Sequence, residues 1–481
     1  MAEAHNRDEI EEKPVRKERS PGFKLAVAVF IGALLMVPLL LVYALVYDRQ
    51  SQSETARNAI AEGWGDAQIV AAPVMVIPYE TENIETYEED GVKKSRTVRV
   101  SRTLYLSPQS NDIAVDVAEE VRQKSIYQSV VYEAGVKGQA RFSIPEDLAR
   151  YGVDPETLKL NQAEVRFAIA DPRGLGSGNT LTVNGTAADL RPGKGLAVSN
   201  GAGFFAFHDW SEGEPLALDY SYGMRGNGRL TLVPRGGTSN FAVKSSWPHP
   251  SFGGDFLPED REISDEGFTA KYSIDNLALG QSLVQLEDIA PERDYEYGMF
   301  GGQTAETLQN SPLISLVEPV NIYSQVDRAV KYGFLFIGFT FLTFLLFDII
   351  AGARVAAAEY LLTGFGLILF FVLLLAFAEV IGFAFAYFGA SAAMIGLLSA
   401  YSAAVLGGVK RALFVGGILT GLYALLYVLL NMEAYALLVG SLLLFVALAL
   451  VMYVTRKVDW SGLGHKAGTP PEQSQEADAT A

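Results

Sequence analysis

Apolar residues are concentrated in two blocks, one near each end of the chain, and this placement constrains the fold more than any other feature. The first block is residues 23–47, interrupted only by Lys24 and Pro38, and the second extends almost continuously from residue 329 to residue 454. A helix needs about 20 apolar residues to cross the ~30 Å hydrocarbon core of a bilayer. The first block therefore predicts one transmembrane helix, and the second is long enough for several.

The first block is predicted to be an uncleaved membrane anchor rather than a signal peptide. The apolar part of a signal peptide has about 7–15 residues and ends at a small-x-small cleavage site. Residues 23–47 are a longer run, and no such site precedes Asp48. Residues 1–22 hold six acids and five bases, which is typical of a disordered, solvated tail.

The second block is predicted to contain five transmembrane helices, in a domain at residues 330–456. Residues 360–406 are too long a run for one helix, so we expect two helices with a turn at residues 379–382. The other three predicted helices are residues 332–351, 412–430 and 434–454. With the N-terminal anchor the total is six, and residues 457–481 are predicted to be a second disordered tail.

Residues 48–329 hold no second spanning run and instead alternate between apolar and polar side chains. Alternation with a period of two, bounded by Gly, Pro, Asn and Asp, is typical of a half-buried β-strand. It occurs at residues 97–101, 113–117, 165–169, 216–220 and 229–233. We therefore predict a large β-rich domain, either a sandwich or a pair of β-subdomains.

Three finer predictions concern the same domain. Residues 53–64 have the composition of a short helix. Residues 225–228 and 234–237 have the glycine-rich composition of hairpin turns. The glycine-rich stretch at residues 174–178 is a candidate boundary between subdomains.

The central segment is acidic: residues 48–329 contain 25 Lys and Arg but 41 Asp and Glu. Binding of a nucleic acid needs clusters of Lys and Arg, so no nucleic acid is expected as a partner. The chain has no cysteine, which excludes disulfides, thiolate catalysis and cysteine-based metal sites. No cofactor and no metal site are predicted.

The distribution of basic residues predicts the orientation of the helices. With six spans both termini lie on one side. The short connections on that side carry Arg354, Lys410, Arg411, Arg456 and Lys457, and basic residues also precede residue 23. The connections on the other side, at residues 379–382 and 431–433, contain no Lys or Arg. Because cytoplasmic loops are enriched in Lys and Arg, we expect both termini in the cytoplasm and residues 48–329 outside it.

The segment most suited to binding is a proline-rich loop at residues 245–258. Three prolines within eleven residues rule out a central strand, because each proline removes a hydrogen-bond donor of the ladder. Two interpretations remain open: a rigid loop pinned onto the β-core, or a binding groove with Trp247 and His249 at its wall. The candidate binding residues are Trp247, Pro248, His249, Pro250, Ser251, Phe252 and Gly253.

Ionisable residues inside membrane spans are functional candidates by default, and here they are Asp348 and Glu379. The predicted helix ends place both near the membrane surfaces, so an interfacial role is the alternative. The acidic patch at residues 259–266 offers oxygen ligands for Ca²⁺ but lacks the alternation and the glycine of a calcium loop, which favours a solvated loop. The motifs H-E-x-x-H, Walker A and G-x-S-x-G do not occur.

Several segments spread over residues 24–460 together have the pattern of a known family, and the run Trp-Pro-His-Pro-Ser-Phe at residues 247–252 is the most specific of them. The other segments are Trp64 to Tyr79, Arg122-x-x-x-Ile126-Tyr127, Asp171-x-Arg173-Gly174, Asp327-Arg328-Ala329-x-Lys331-Tyr332-Gly333, Ala378-Glu379-x-Ile381-Gly382-Phe383 and residues 453–460. With these segments the chain resembles the CreD family of cell envelope integrity proteins from Gram-negative inner membranes. Ala72 stands where the family usually has Gly, and Asp348 where Glu is expected.

The resemblance implies a multi-pass protein of the bacterial inner membrane, with residues 48–329 in the periplasm and a role in envelope integrity under stress-responsive control. It implies no catalytic activity. We therefore expect a non-enzymatic protein in the lipid bilayer whose outer domain binds an envelope component or a partner protein. The alternatives are a transporter-like or lipid-handling protein, against which the clean spans argue, and an envelope hydrolase.

Overall fold

The computed structural model describes residues 21–89, 92–297, 303–316, 322–350, 355–406, 408–431 and 436–456. The chain forms two compact units, which we call the β unit, Gln52–Pro319, and the helical unit, made of Met1–Ser51 and Val320–Ala481. Of the two predicted tails, only residues 21 and 22 fall within the described residues, and both are helical.

Five helical segments among the described residues are long and apolar enough to cross a membrane, one near the N-terminus and four toward the C-terminus. The sixth predicted span coincides with an apolar helix whose stretch Leu438–Tyr453 is shorter, so the count of six remains a prediction. The helices α1 to α8 are Pro21–Trp64, Asn276–Leu279, Ile322–Lys331, Gly333–Ile350, Ala357–Ile381, Phe383–Val405, Val409–Asn431 and Ala436–Thr455.

Helix α1 continues without a break to Trp64, whereas the sequence predicted a separate short helix at residues 53–64. Residues 48–62 contain no Pro or Gly and are rich in Glu, Gln, Arg and Ala, so nothing local ends the helix there. It ends just before Gly65, whose φ of 141° is accessible mainly to glycine.

Gly382 alone separates α5 from α6, with φ 80° and ψ 160°. Residues that carry a Cβ avoid this conformation, and an α-helix cannot continue through it. The predicted division of residues 360–406 into two helices with a turn at residues 379–382 is therefore confirmed.

The described strands form three sheets and one separate hairpin. The sheet orders are β15-β16-β13-β4-β5-β11-β7-β8 (eight-stranded), β17-β3-β2-β6-β10-β9 (six-stranded) and β1-β12-β20-β14 (four-stranded), and β18 pairs with β19. The strands β1 to β20 are Gln68–Ala71, Val74–Glu89, Val92–Leu106, Ser110–Lys124, Tyr127–Phe142, Ala163–Ala168, Thr180–Val183, Thr186–Ala187, Arg191–Pro192, Gly203–His208, Leu216–Asn227, Arg229–Val233, Thr238–Ser245, Pro250–Gly254, Asp260–Ser264, Gly267–Asp275, Val284–Gln285, Arg293–Tyr297, Gln303–Leu308 and Pro312–Leu316.

One hydrophobic core draws residues from all three sheets. Buried and exposed side chains alternate along β4, β5 and β11, so the eight-stranded sheet has one apolar and one polar face. Phe167 of the six-stranded sheet meets Tyr220 of the eight-stranded sheet edge-on, with ring centroids 5.2 Å apart. The predicted β-rich domain is confirmed, and the five alternating segments lie in β3, β4, β6, β11 and β12, with β6 ending at Ala168.

The two predicted hairpin turns are wrong. Residues 225–227 are the last residues of β11, Gly228 joins β11 to β12, and residues 234–237 join β12 to β13. β12 belongs to the four-stranded sheet, whereas its two neighbours in sequence belong to the eight-stranded sheet. Gly228, Gly236 and Gly237 therefore lie where the chain changes sheet. The stretch at residues 174–178 lies inside the β unit, where the Gly176 amide donates to the Gly223 carbonyl at 2.7 Å.

Candidate functional site

The sequence-predicted binding loop lies at an edge of the four-stranded sheet. Strand β14 begins at Pro250, and the first residue of an edge strand is a position that tolerates a missing amide donor. Trp247 is half-buried against the core, and its Nε1 donates to the His249 carbonyl at 3.1 Å. The two rings are 6.5 Å apart and perpendicular, and His249 is exposed.

Phe252 holds the other end of this loop, since its ring meets Phe268 of β16 edge-on at 5.5 Å. These contacts attach the loop to the β-core, as in the first of the two interpretations. Neither Trp247 nor His249 lines the cavity of about 750 Å³ on the eight-stranded sheet. The role of residues 247–253 in binding stays a prediction.

Asp348 pairs with a residue that sequence reasoning did not connect to it. The Lys24 Nζ lies 2.8 Å from Asp348 Oδ1, and the side chains are 24% and 3% exposed, respectively. Asp348 is in the last turn of α4 and Lys24 in the first turn of α1, so this ion pair joins two spans of the helical unit. Arg354, six residues after Asp348 in the sequence, lies outside the described residues.

Glu379 lies in the last turn of α5, directly before the break at Gly382. The Tyr323 hydroxyl of α3 donates to Glu379 Oε1 at 3.1 Å. Each of the two membrane acids therefore holds two helices together at a helix end. Their functional role stays a prediction.

The polar face of the eight-stranded sheet carries a cavity of about 750 Å³, which we call the trough. Cross-strand pairing places six polar side chains in one row through it. Residues on the same face of neighbouring strands lie about 5 Å apart, so the row is continuous. Its members are Ser273, Asn240, Asp112, Gln139, Asp219 and Thr182.

Hydrogen bonds orient most of this row. The Ser273 hydroxyl donates to Asn240 Oδ1 at 2.8 Å, and Asn240 Nδ2 donates to Asp112 Oδ1 at 2.7 Å. Gln139 Nε2 donates to Asp219 Oδ1 at 2.8 Å. The bonds to Asp112 and Asp219 each engage one carboxylate oxygen, and a carboxylate has acceptor capacity for more. The row therefore presents fixed acceptors to a ligand.

The neighbouring row explains why the face is concave there. Ala242 and Ala114 are paired across β13 and β4, and Ser221 and Thr180 are paired across β11 and β7. These short side chains leave space above the sheet. Lys137, between Ala114 and Ser221 in the same row, adds a positive charge to the trough.

The floor of the trough is built from residues of the core. The Tyr220 ring occupies the space next to Gly138 on the paired strand, and its hydroxyl donates to Asn111 Oδ1 at 2.9 Å. Burial raises the pKa of Tyr220 well above its ordinary value, so the hydroxyl stays protonated and keeps this bond.

A second cluster lies within the β unit where α1 ends, and we call it the Trp64 cluster. The guanidinium carbons of Arg122 and Arg225 are 3.5 Å and 4.5 Å from the centroid of the Trp64 ring. The indole Nε1 donates to the Tyr132 carbonyl at 3.2 Å. Cation–π contacts of this kind contribute ~0.5–1 kcal/mol each at exposed sites, so they hold the end of α1 on the β unit.

Asp171 completes this cluster as the N-cap of a single-turn 3₁₀-helix, Pro172–Gly174. Its carboxylate accepts from the Asp66 amide at 3.0 Å and from Arg173 Nη2 at 2.9 Å. Burial alone would raise the pKa of Asp171, but the hydrogen bonds from Arg173 and from the Asp66 amide outweigh it and lower the pKa. The buried side-chain amide of Gln68 donates through Nε2 to the backbone carbonyl of Asp171 at 2.9 Å.

Comparison with known proteins decides the family. The sequence model of the family described as "Inner membrane protein CreD" matches residues 20–461. The chain belongs to the CreD family. A curated CreD relative, "Inner membrane protein CreD" of Escherichia coli (strain K12), is 32% identical over 454 residues, which are 92% of this chain and 94% of the relative. The resemblance found in the sequence is confirmed, and CreD membership makes this a multi-pass inner-membrane protein.

Three of the segments that carry the CreD resemblance meet in the Trp64 cluster. They contribute Trp64, Arg122, and Asp171 with Arg173, which are far apart in the sequence. Their shared contacts give these segments a structural role: they join the last turn of α1 to the β unit.

Sequence reasoning missed the trough entirely. Its small residues, such as Ala114 and Ala242, are unremarkable in one strand and form a depression only once the register of six strands is known. The acidic patch at residues 259–266 forms β15 and the turn into β16. Among the described residues of this CreD-family chain, no group of three or more His, Asp or Glu is placed to hold a metal ion.

Proposed function

We propose that this CreD-family protein supports the integrity of the cell envelope without catalysing a reaction, and that its β unit binds an envelope component in the trough. In this proposal the β unit is periplasmic and both termini are cytoplasmic. The observation that carries the proposal is the trough itself: a cavity of about 750 Å³ on a wide sheet, with polar side chains held in place by hydrogen bonds.

The charges of the trough indicate the class of ligand. Lys137, Lys271, Asp112 and Asp219 all line the trough, and Asn240 supplies an amide. The Lys271 Nζ also lies 3.1 Å from Asp260 Oδ2. A ligand that carries ammonium, carboxylate, amide and hydroxyl groups together would find partners for all of them. The glycopeptide of the bacterial cell wall has this combination, and we propose it as the ligand.

Co-sedimentation with purified, insoluble cell-wall glycopeptide tests the proposal, using the detergent-solubilised full chain. Ala114→Trp fills the trough, and we expect at least a tenfold loss of binding. Ala118→Trp is the matched control, because Ala118 is exposed on the same strand and face but does not line the cavity. We expect this control to bind like the parent chain.

Two outcomes contradict the proposal: no sedimentation of the parent chain above a detergent blank, or equal binding by the two tryptophan variants. His249→Ala separates the trough from the loop at residues 247–253. If His249→Ala abolishes binding and Ala114→Trp does not, the ligand binds the loop and the trough assignment is wrong.

A further inference from the structure

Strands β2 and β3 form a long two-stranded hairpin that reaches beyond its sheet. β2 pairs with β6 only through Val74–Val76, and β3 pairs with β17 only through Tyr105 and Leu106. Farther out, over residues 81–89 and 92–100, these two strands pair only with each other in the described part of the chain. We call the hairpin segment formed by residues 81–89 and 92–100 the arm. An isolated two-stranded hairpin is marginally stable in water, so an exposed arm gains from a partner.

The two strands of the arm carry opposite charges. Residues 81–89 contain four Glu and no Lys or Arg, whereas residues 92–100 contain four Lys and Arg and no Asp or Glu. One edge of the arm is therefore acidic and the other is basic. Such a surface is complementary to a second copy of itself when acidic and basic strands face each other.

One face of the arm keeps its charges available. Glu82 is paired in register with Arg99, and Glu88 with Lys93, but neither pair is closed as an ion pair among the described residues. Ile84 lies between them and is 70% exposed. On the opposite face Glu85 accepts from Arg96 at 2.8 Å, so that charge is already compensated within the arm.

We propose that the Ile84 faces of the arms of two membrane-anchored copies of this chain pack together. The two arms point in the same direction, related by a two-fold axis parallel to the strands. This operation places Glu82 over Arg99 of the second copy and Glu88 over Lys93 of the second copy. Arms pointing in opposite directions would instead place acid over acid, which disfavours that arrangement.

The size of the face sets the strength of the contact. Nine residues per strand at ~3.3 Å each, over two strands ~5 Å wide, give about 300 Å² per copy. Stable interfaces bury about 800 Å² per partner. The arms therefore form a weak contact, which the high local concentration of membrane-confined chains makes effective.

Chemical cross-linking tests the pairing cleanly because the chain has no cysteine. Ile84 is paired with Thr97, so the proposed two-fold axis places Ile84 over Thr97 of the second copy. The two Ile84 positions are then one strand apart across faces spaced ~10 Å, which is too far for a disulfide but within reach of a short bismaleimide. The full chain with Ile84→Cys is treated with such a bismaleimide in membranes, and dimers are counted on a denaturing gel. Asn83→Cys is the matched control, because Asn83 is the neighbouring position, is also exposed and lies on the opposite face. We expect at least fivefold more dimer from Ile84→Cys than from Asn83→Cys.

Charge reversal tests the geometry. Glu82→Lys with Glu88→Lys, in the Ile84→Cys chain, places like charges against each other, and we expect the dimer to fall to the level of the Asn83→Cys control. Adding Lys93→Glu and Arg99→Glu reverses every charge on the Ile84 face, so acid again faces base, and the yield of cross-linked dimer is expected to be restored. Equal cross-linking at positions 83 and 84, no dimer at position 84, or a dimer insensitive to charge would each overturn the proposal.

Discussion

The Tyr220 ring lies against the Cα of Gly138 on the paired strand, in the space that a Cβ at position 138 would need. Gly226 and Tyr132 repeat this relationship farther along the same pair of strands. An aromatic ring over a cross-strand glycine covers exposed backbone and fixes the register. In the trough it also fixes the floor, because Tyr220 is held from below by Asn111.

Gly138→Ala is therefore expected to destabilise the β unit by about 1–3 kcal/mol, since the methyl group overpacks a buried ring. Denaturant unfolding of the detergent-solubilised chain, followed by tryptophan fluorescence, measures this. The matched control is Gly135→Ala on the same strand, where nothing lies within 4 Å of a Cβ; its effect is expected to stay below about 0.5 kcal/mol. Equal effects of the two variants would show that Tyr220 moves aside freely.

The Lys24–Asp348 ion pair is expected to behave as a unit. Lys24→Met leaves a carboxylate that is 3% exposed without its partner, and removing one member of a buried pair costs about 3–5 kcal/mol. The double variant Lys24→Met with Asp348→Asn is expected to be more stable than Lys24→Met alone. Thermal unfolding followed by the helical circular-dichroism signal measures the cycle, with the exposed Lys410→Met as control. Strictly additive losses would refute the coupling.

Asp171 is expected to make the Trp64 cluster sensitive to acid. Its pKa is lowered in the folded state, so its contribution to stability is complete above the unfolded value of about 4 and is lost as the pH falls through the folded value. Asp171→Asn should lose about 1.5–3 kcal/mol at pH 7 and show a weaker dependence on pH below about 4. Unfolding midpoints from pH 7 to pH 3 test this, with the exposed Asp116→Asn as control; parallel pH curves for the parent and Asp171→Asn would contradict it.

The predicted orientation can be tested by labelling single cysteines in the otherwise cysteine-free chain. With the outer membrane made permeable, a maleimide that cannot cross the inner membrane is expected to label Ser251→Cys in intact cells. Ser474→Cys should be labelled only after the inner membrane is opened, because both termini are predicted to be cytoplasmic. The reverse pattern would invert the topology.

Local features of the sequence predicted local structure well. The strands at the period-two segments could be predicted because alternation of apolar and polar side chains is visible within a single strand. The break near Gly382 could be predicted because the apolar run is too long for one transmembrane helix. The limit of helix α1 was missed because residues 48–62 are polar but still good helix formers. Polarity indicates where a membrane segment ends, not where a helix ends.

Features that depend on long-range pairing were not predictable in the same way. The segments at residues 225–228 and 234–237 have hairpin composition, yet the partners of β12 are β1 and β20, which no local pattern encodes. The trough needs the register of six strands, and the Lys24–Asp348 pair needs the packing of α1 on α4. In each case the deciding contact joins residues that are distant in the sequence.

The order of the four-stranded sheet has a consequence for biosynthesis. Its first strand, β1, pairs in parallel with β12, and β12 pairs with β20. Gln68 can therefore pair with Leu230, and Leu230 with Ile314, only after these later segments have been synthesised. Such non-local pairing slows folding and leaves apolar strands exposed in the meantime. A nascent chain interrupted before β20 would lack the strand that links β12 to β14. Proteases and chaperones that recognise unpaired strands would therefore meet a chain in which nearly the whole β unit has been synthesised but this sheet is incomplete.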